Sequence, residues 1–375
     1  MSITRCAWPL IVWLAACGVC AGEPVVTIRS NGQNANRLNV VFMGDGYSAA
    51  EMVKFATDVD ILVASMFTQQ PYTAYEPYFN IHRVDVVSKE SGASHPERSV
   101  KRDTALGAAY NCGGVQRLIC VDNAAVAAVL SRSVPASEQD LVIIVVNDAE
   151  YGGAGGRYSI ASKHPLVVEL MLHEAGHTLA LLSDEYVDGG PCSGASEPSA
   201  VNATRETGRD RLKWSHWVDE RTPLPSITSL AAVPGLYAGG NHCPELYRPT
   251  YDSKMRSLSR PFEQINTEQL IKRFYNIVSP IDAVLPAKPD VTLSQGDPFS
   301  FSVERPRPVG FDLLVNWTID DRPAGTDDSL AFDARRFAPG RHTVEVTVRD
   351  PNPAVRSDPR EALVERFRWT VTIVP

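Results

Sequence analysis

Apolar residues change their spacing near residue 290 and divide the chain into two stretches. Before that point, short unbroken apolar runs alternate with segments of helical spacing. After it, apolar and polar residues alternate in short segments separated by turn residues. Residues 38–43 are one apolar run that stops at the turn pair Asp45-Gly46, which predicts a strand buried on both faces. Ser48, with Glu51 three residues on, is a capping box and opens a helix to about Phe67. A second strand over 79–87 completes a strand–helix–strand unit, whose crossover favours parallel pairing.

Farther along, Asp122 caps an alanine-rich helix to about Leu130, and residues 141–146 are the most strand-like segment of all. The glycine-rich stretch 151–156 predicts a flexible loop and 157–162 an edge strand. Residues 165–182 read as a helix: Pro165 suits a first helical position, and Val167, Leu170, Met171, Ala175, Leu179 and Leu182 supply apolar surface over several turns. Residues 183–236 predict long loops with helical turns near 212–218, and 267–277 a closing helix. Three prolines mark 280–289 as a linker. The strands 291–293, 299–303, 313–319, 330–332, 342–349 and 366–373 then predict a small all-β module, an immunoglobulin-like or related sandwich. The fold class expected is α/β (α+β) with a mixed sheet, followed by that sandwich.

A length of 375 residues accommodates about two domains. The net charge of -8 argues against nucleic acid as the main partner. Arg5, the apolar run 6–19 and Val19-Cys20-Ala21 have the layout of an export signal over residues 1–21. Leu14-Ala15-Ala16-Cys17 also fits a lipoprotein box, so a lipid anchor on Cys17 is the alternative to simple export. Cys112, Cys120, Cys192 and Cys243 remain after the signal, an even set that predicts the disulfides Cys112–Cys120 and Cys192–Cys243.

The candidate chemistry lies in His173-Glu174-Ala175-Gly176-His177. Residues four apart on a helix stand one turn above each other, so His173 and His177 aim two imidazoles at one point, with Glu174 beside it. This H-E-x-x-H spacing suits two zinc ligands and a carboxylate that takes a proton from water. The nearby glycine-rich stretch lacks the spacing of a nucleotide loop and suits close backbone approach to an extended peptide.

Residues 42–48, 78–85, 146–147 with 151–156, 173–177 with 184–186, and 247–249 with Met255 together resemble the IgA peptidase family of secreted zinc metallopeptidases. The resemblance implies a metzincin-like zinc peptidase domain over 22–279, one catalytic zinc ion, a protein or peptide substrate, and Met255 in a turn beneath the metal. The β module over 290–375 lies outside the strongest match. Zinc needs a third protein ligand. The metzincin pattern would place it at Ser183, after a glycine at the position of Ala180; here the first good donor is Asp184. On an unbroken helix Asp184 would lie about 16 Å from His173, so the chain must turn between about Leu181 and Ser183. Glu185 is the substitute, with His242, Glu245 and Asp252 more remote. Tyr247, Arg248 and Tyr251 are candidate donors to a developing oxyanion if Met255 underlies the metal. Two functions remain open from sequence: a secreted endopeptidase with Glu174 as general base, or a non-catalytic surface module with a vestigial zinc site, whose β domain contacts a glycan, a protein or a cell surface.

Overall fold

The structure, a computed structural model, describes residues 22–188, 192, 196–227 and 233–375. The export signal, with Cys6, Cys17 and Cys20, lies outside these described residues. The first half is built on β1 (Val25–Arg29), β2 (Leu38–Asp45), α1 (Met52–Met66), β3 (Phe79–Val84), α2 (Asn123–Ser133), β4 (Leu141–Val146), β5 (Gly153–Ala154), β6 (Ser159–Ser162) and α3 (Val167–Ala180). Its six strands form one sheet in the order β1-β3-β2-β4-β6-β5. The pairings β2–β3, β2–β4 and β4–β6 are parallel, and the outer strands β1 and β5 are antiparallel to their neighbours.

The unbroken apolar runs have a simple cause. Every residue of β2 and of β4 is buried. Leu38, Val40, Phe42, Ile143 and Val145 face one core with residues of α1 and α3; Val41, Met43, Val142, Ile144 and Val146 face a second core with residues of α2. A strand covered on both sides favours apolar side chains; the polar residues of β2 find partners, Asn39 donating to the Asn34 and Arg37 carbonyls and Asp45 accepting from the N–H groups of Leu106 and Ala108. Local signals act as expected: the Ser48–Glu51 capping box caps a short 3-10 turn that leads into α1, and the Asp122 carboxylate accepts from the backbone N–H groups of Ala124 and Ala125.

The structure corrects several of these expectations. The segment expected as an edge strand gives β6, which is interior; the edge is β5, formed from the glycine-rich stretch expected as a flexible loop. Beyond the expected loops, β7 (Tyr237–Gly240) and β8 (Cys243–Arg248) form a hairpin. The next helix, α4 (Glu263–Tyr275), starts before the expected Thr267. The stretch expected as a linker contains β9 (Ala283–Leu285), because its residues pair with a later strand.

The second half adds β10 (Asp290–Ser294), β11 (Pro298–Glu304), β12 (Leu314–Ile319), β13 (Arg322–Gly325), β14 (Ser329–Asp333), β15 (Gly340–Arg349) and β16 (Val364–Val374). They form a five-stranded sheet, β10-β16-β15-β12-β13, and a three-stranded sheet, β14-β11-β9. Trp317 and Trp369 of the first sheet and Phe301 and Phe332 of the second meet in one core. The two halves join through the buried Asp350, whose carboxylate accepts from the Tyr75 and Tyr275 hydroxyls at 2.6 and 2.7 Å. Disulfides link Cys112 to Cys120 and Cys192 to Cys243. Among the described residues, no helix is long and apolar enough to cross a membrane.

Candidate metal centre

The helix α3 lies buried against the sheet, with Leu170, Met171, Leu172, Ala175 and Leu179 in the core. It stops because Leu181 adopts a left-handed conformation, φ 57° and ψ 36°. The N–H groups of Leu181 and Leu182 bond back to the carbonyls of His177 and Gly176, satisfying two of the helix's last acceptors. That reversal returns the chain toward the helix face instead of extending it, and Asp184 comes back to the two histidines.

The geometry there is tight. His173 Nδ1 lies 2.9 Å from the Lys254 carbonyl, and His177 Nδ1 lies 2.7 Å from the Leu182 carbonyl. A carbonyl only accepts, so each Nδ1 donates to it, and Nε2 is the ring nitrogen left to face the site. The two Nε2 atoms are 3.2 Å apart, and Asp184 Oδ1 is 3.1 Å from one and 3.3 Å from the other. Oδ1 is buried yet receives no well-formed hydrogen bond. Three donor atoms gathered this closely, one of them a buried carboxylate oxygen, could hold a cation. Zinc about 2.0–2.1 Å from each of three tetrahedral donors would set them about 3.3 Å apart, so the residues fit the ion.

Charge points the same way. Burial works to raise the Asp184 carboxyl, but His173, His177 and His242 hold it far below the ordinary range. For His177 burial acts to lower the imidazole, yet Asp184 and Glu174 push it up to about 9. The site favours positive charge. Glu174 is buried, which raises its carboxyl above the usual value, while the flanking histidines oppose the rise. Its carboxylate faces the sheet edge: a Cβ on Gly153 would lie 3.0 Å from Oε1, and one on Gly155 3.0 Å from Oε2. The strand approaches this closely because it carries no side chains there.

Other residues hold the donors in place. A Cβ on Gly176 would stand 2.7 Å from Met255 Sδ, which puts Met255 directly against the helix between the two histidines. Lys254, 1% exposed, pairs with Glu169 one turn before His173, and so fixes the carbonyl that orients that ring. Glu185 faces away from the metal donors. It is fully buried and accepts from Asn202, Ser253 and Asn266, clamping the segment that carries Met255.

The structure separates the remaining candidates. His242 Nε2 lies 3.2 Å from Asp184 Oδ2. Asp252 is occupied by Arg256 and Arg260, and Glu245 sits on the exposed side of β8. Tyr247 and Arg248 do not line the cleft over the metal donors. The buried Arg248 guanidinium donates to the carbonyls of Ala238, Gly239 and Tyr251 and so braces the β7–β8 hairpin, outside the cleft over the metal donors. Tyr247 pairs through its backbone with Thr204 and packs beside Trp214 and Leu236. Tyr251 stacks with Arg256 and Tyr237 outside the cleft.

The cleft itself has a volume of about 830 Å³ and is lined by Arg117, Leu118, Tyr151, Tyr186 and Leu258 besides the metal donors and Glu174. Sequence reasoning missed Arg117 as a cleft residue because no local pattern ties it to the helix; Tyr151, at the head of the glycine-rich stretch, and Tyr186, next but one to Asp184, were within reach. A second group, His95, Glu97 and Glu150, also converges, but the Arg98 guanidinium bonds to His95 and Glu150 and supplies its positive charge.

Comparisons with known proteins bear on the first half. No curated protein matches the chain. Among solved structures, the fibronectin(III)-like modules of Clostridium thermocellum CbhA align at 10% identity over 24% of this chain and 44% of that one, with a TM-score of 0.18, a likeness too slight to bear on the fold. The signature of the family described as IgA Peptidase M64 matches residues 26–233, which take in the sheet, α3 and the turn to Asp184. With more than half its length matched, the chain belongs to the IgA peptidase M64 family, a family of peptidases whose substrates are proteins or peptides.

Proposed function

We propose that the chain is an exported zinc-dependent endopeptidase with Glu174 as general base. The observation that carries the reading is the convergence of His173 Nε2, His177 Nε2 and Asp184 Oδ1 within 3.3 Å, with both Nδ1 protons committed elsewhere. Zinc held by these three atoms supplies Lewis acidity, acidifying water and polarising a carbonyl. Met255 against α3 supports a metzincin-like arrangement, and the two sheets of the second half support an immunoglobulin-like sandwich.

The chain's own residues supply the rest. An extended substrate peptide lies along the cleft beside β5, whose glycines let the strand's own backbone come close to Glu174. Glu174 takes a proton from the attacking water and delivers it to the leaving amine; a carboxyl raised by burial is suited to both tasks. Arg117 and Tyr151 are hydrogen-bond donors of the cleft toward a substrate carbonyl. Export is supported by the signal-like residues 1–21 and by two disulfides, which persist in oxidising compartments; anchoring through Cys17 is the variant of the same route.

Glu174→Gln tests the proposal. The amide is nearly isosteric but takes no proton, so zinc content and melting temperature should stay while peptide cleavage falls on the order of 10²–10⁴-fold. Cleavage at the wild-type rate refutes the general-base role. Absence of cleavage in both forms instead favours the non-catalytic module.

A further inference from the structure

We infer that His242 is not a metal ligand but the positioning residue that holds Asp184 as a one-oxygen ligand; the inference rests on the zinc reading above. His242 stands at the tip of the β7–β8 hairpin, where Asn241 and His242 take positive φ values of 46° and 64°. Such backbone is uncommon for residues other than glycine, with Asn, Asp and His the most tolerant. Two bonds fasten this tip to the ligand segment: the Asn241 N–H donates to the Asp184 carbonyl at 2.7 Å, and the His242 N–H to the Tyr186 carbonyl at 3.0 Å. One residue on, Cys243 is tied to Cys192.

So placed, the ring meets a carboxylate on each side. Its Nε2 lies 3.2 Å from Asp184 Oδ2 and its Nδ1 3.1 Å from Asp188 Oδ1. Asp188 Oδ2 is in turn 3.1 Å from Arg117 Nη2, and Arg117 lies inside the loop closed by Cys112–Cys120. Both disulfide-bonded segments therefore feed one chain of contacts, Arg117–Asp188–His242–Asp184.

The two oxygens of Asp184 divide their work. Oδ1 faces the Nε2 atoms of His173 and His177, and Oδ2 faces His242. A donor on the outer oxygen keeps the carboxylate from swinging round to present both oxygens to the ion. His242 is also absent from the group of donors, His173, His177 and Asp184, that lie within 4.8 Å of one another. Groups that orient a metal ligand in this way typically alter metal affinity 10–100-fold when removed.

Two substitutions separate this role from a structural one. In His242→Asn the side chain suits the left-handed turn and keeps a donor near the Nδ1 position, but it is too short to reach Asp184. In His242→Gln the amide nitrogen lies near the Nε2 position. Zinc affinity is measured by competition with a chelator, imidazole ligands are counted by X-ray absorption spectroscopy, and folding is followed by melting temperature. The expected result is a folded Asn variant with zinc affinity lowered on the order of 10–100-fold, recovery in the Gln variant, and two imidazoles in the wild type. Wild-type affinity in the Asn variant, equal loss in both variants, or three imidazoles in the wild type overturns the inference. A wild type that takes up no zinc overturns it together with the zinc reading, which distinguishes the two failures.

Discussion

Gly155→Ala probes how closely the sheet edge must approach α3. A methyl group on Gly155 would stand 2.6 Å from His177 Cβ, 2.8 Å from His177 Cδ2 and 3.0 Å from Glu174 Oε2. Non-bonded carbon atoms rest about 3.5–4.0 Å apart, so the overlap amounts to about 1 Å. The helix cannot yield, because His177 Cβ is attached to its backbone and the ring is anchored 2.7 Å from the Leu182 carbonyl. The segment after β5 must retreat instead. Overpacking of this kind costs about 1–3 kcal/mol of stability. Activity should suffer more: a shift of about 1 Å in a substrate-positioning element lowers rate on the order of 10²-fold. The three metal donors do not belong to this segment, so zinc stoichiometry should be unchanged. Zinc content, melting temperature and kcat/KM on one peptide, measured side by side, decide the matter. Wild-type kcat/KM in the variant refutes the view that the edge positions substrate. Lost zinc refutes the independence of edge and metal donors.

Two further outcomes follow from other parts of the molecule. Cys192–Cys243 closes a loop with a sequence separation of 51, so replacing both cysteines by serine should lower stability by about 4 kcal/mol; an unchanged unfolding midpoint in non-reducing buffer contradicts this. Burial raises the Asp350 carboxyl above 3.8 despite the bonds from Tyr75 and Tyr275. A raised carboxyl binds its proton more tightly in the folded state, so its stabilisation is complete below 3.8 and is lost as pH rises through the folded value. Asp350→Asn does not ionise, and its melting temperature should therefore gain on the wild type from acid toward neutral pH; a difference constant with pH disproves the assignment.

Much of this protein was legible along the chain because it rests on short-range rules. Complete burial writes itself into β4 and into most of β2 as apolar runs. The spacing of His173 and His177 on a helix already places them on one face, and the need for a turn near Leu181 followed from helix rise alone. Asp122 and the Ser48–Glu51 pair acted as caps because capping involves neighbours within three residues. An even set of four cysteines limited the pairings before any coordinates.

What only the tertiary structure decided concerns residues whose partners are distant in sequence. Arg248 reads as a candidate catalytic cation, but its guanidinium donates to the carbonyls of Ala238, Gly239 and Tyr251. Backbone carbonyls leave no sequence signal, so nothing along the chain distinguishes a bracing arginine from a free one. Glu185 and Asp184 are adjacent and equally good donors on paper. Packing separates them, turning one toward the histidines and burying the other among Asn202, Ser253 and Asn266. The short β5 became the sheet edge because β6 offered it a partner, not because Gly153 and Ala154 favour a strand. Local periodicity thus determined which segments are helices and strands and where the two histidines point. Long-range pairing, which depends on groups brought together only by the fold, decided what each polar side chain is free to do.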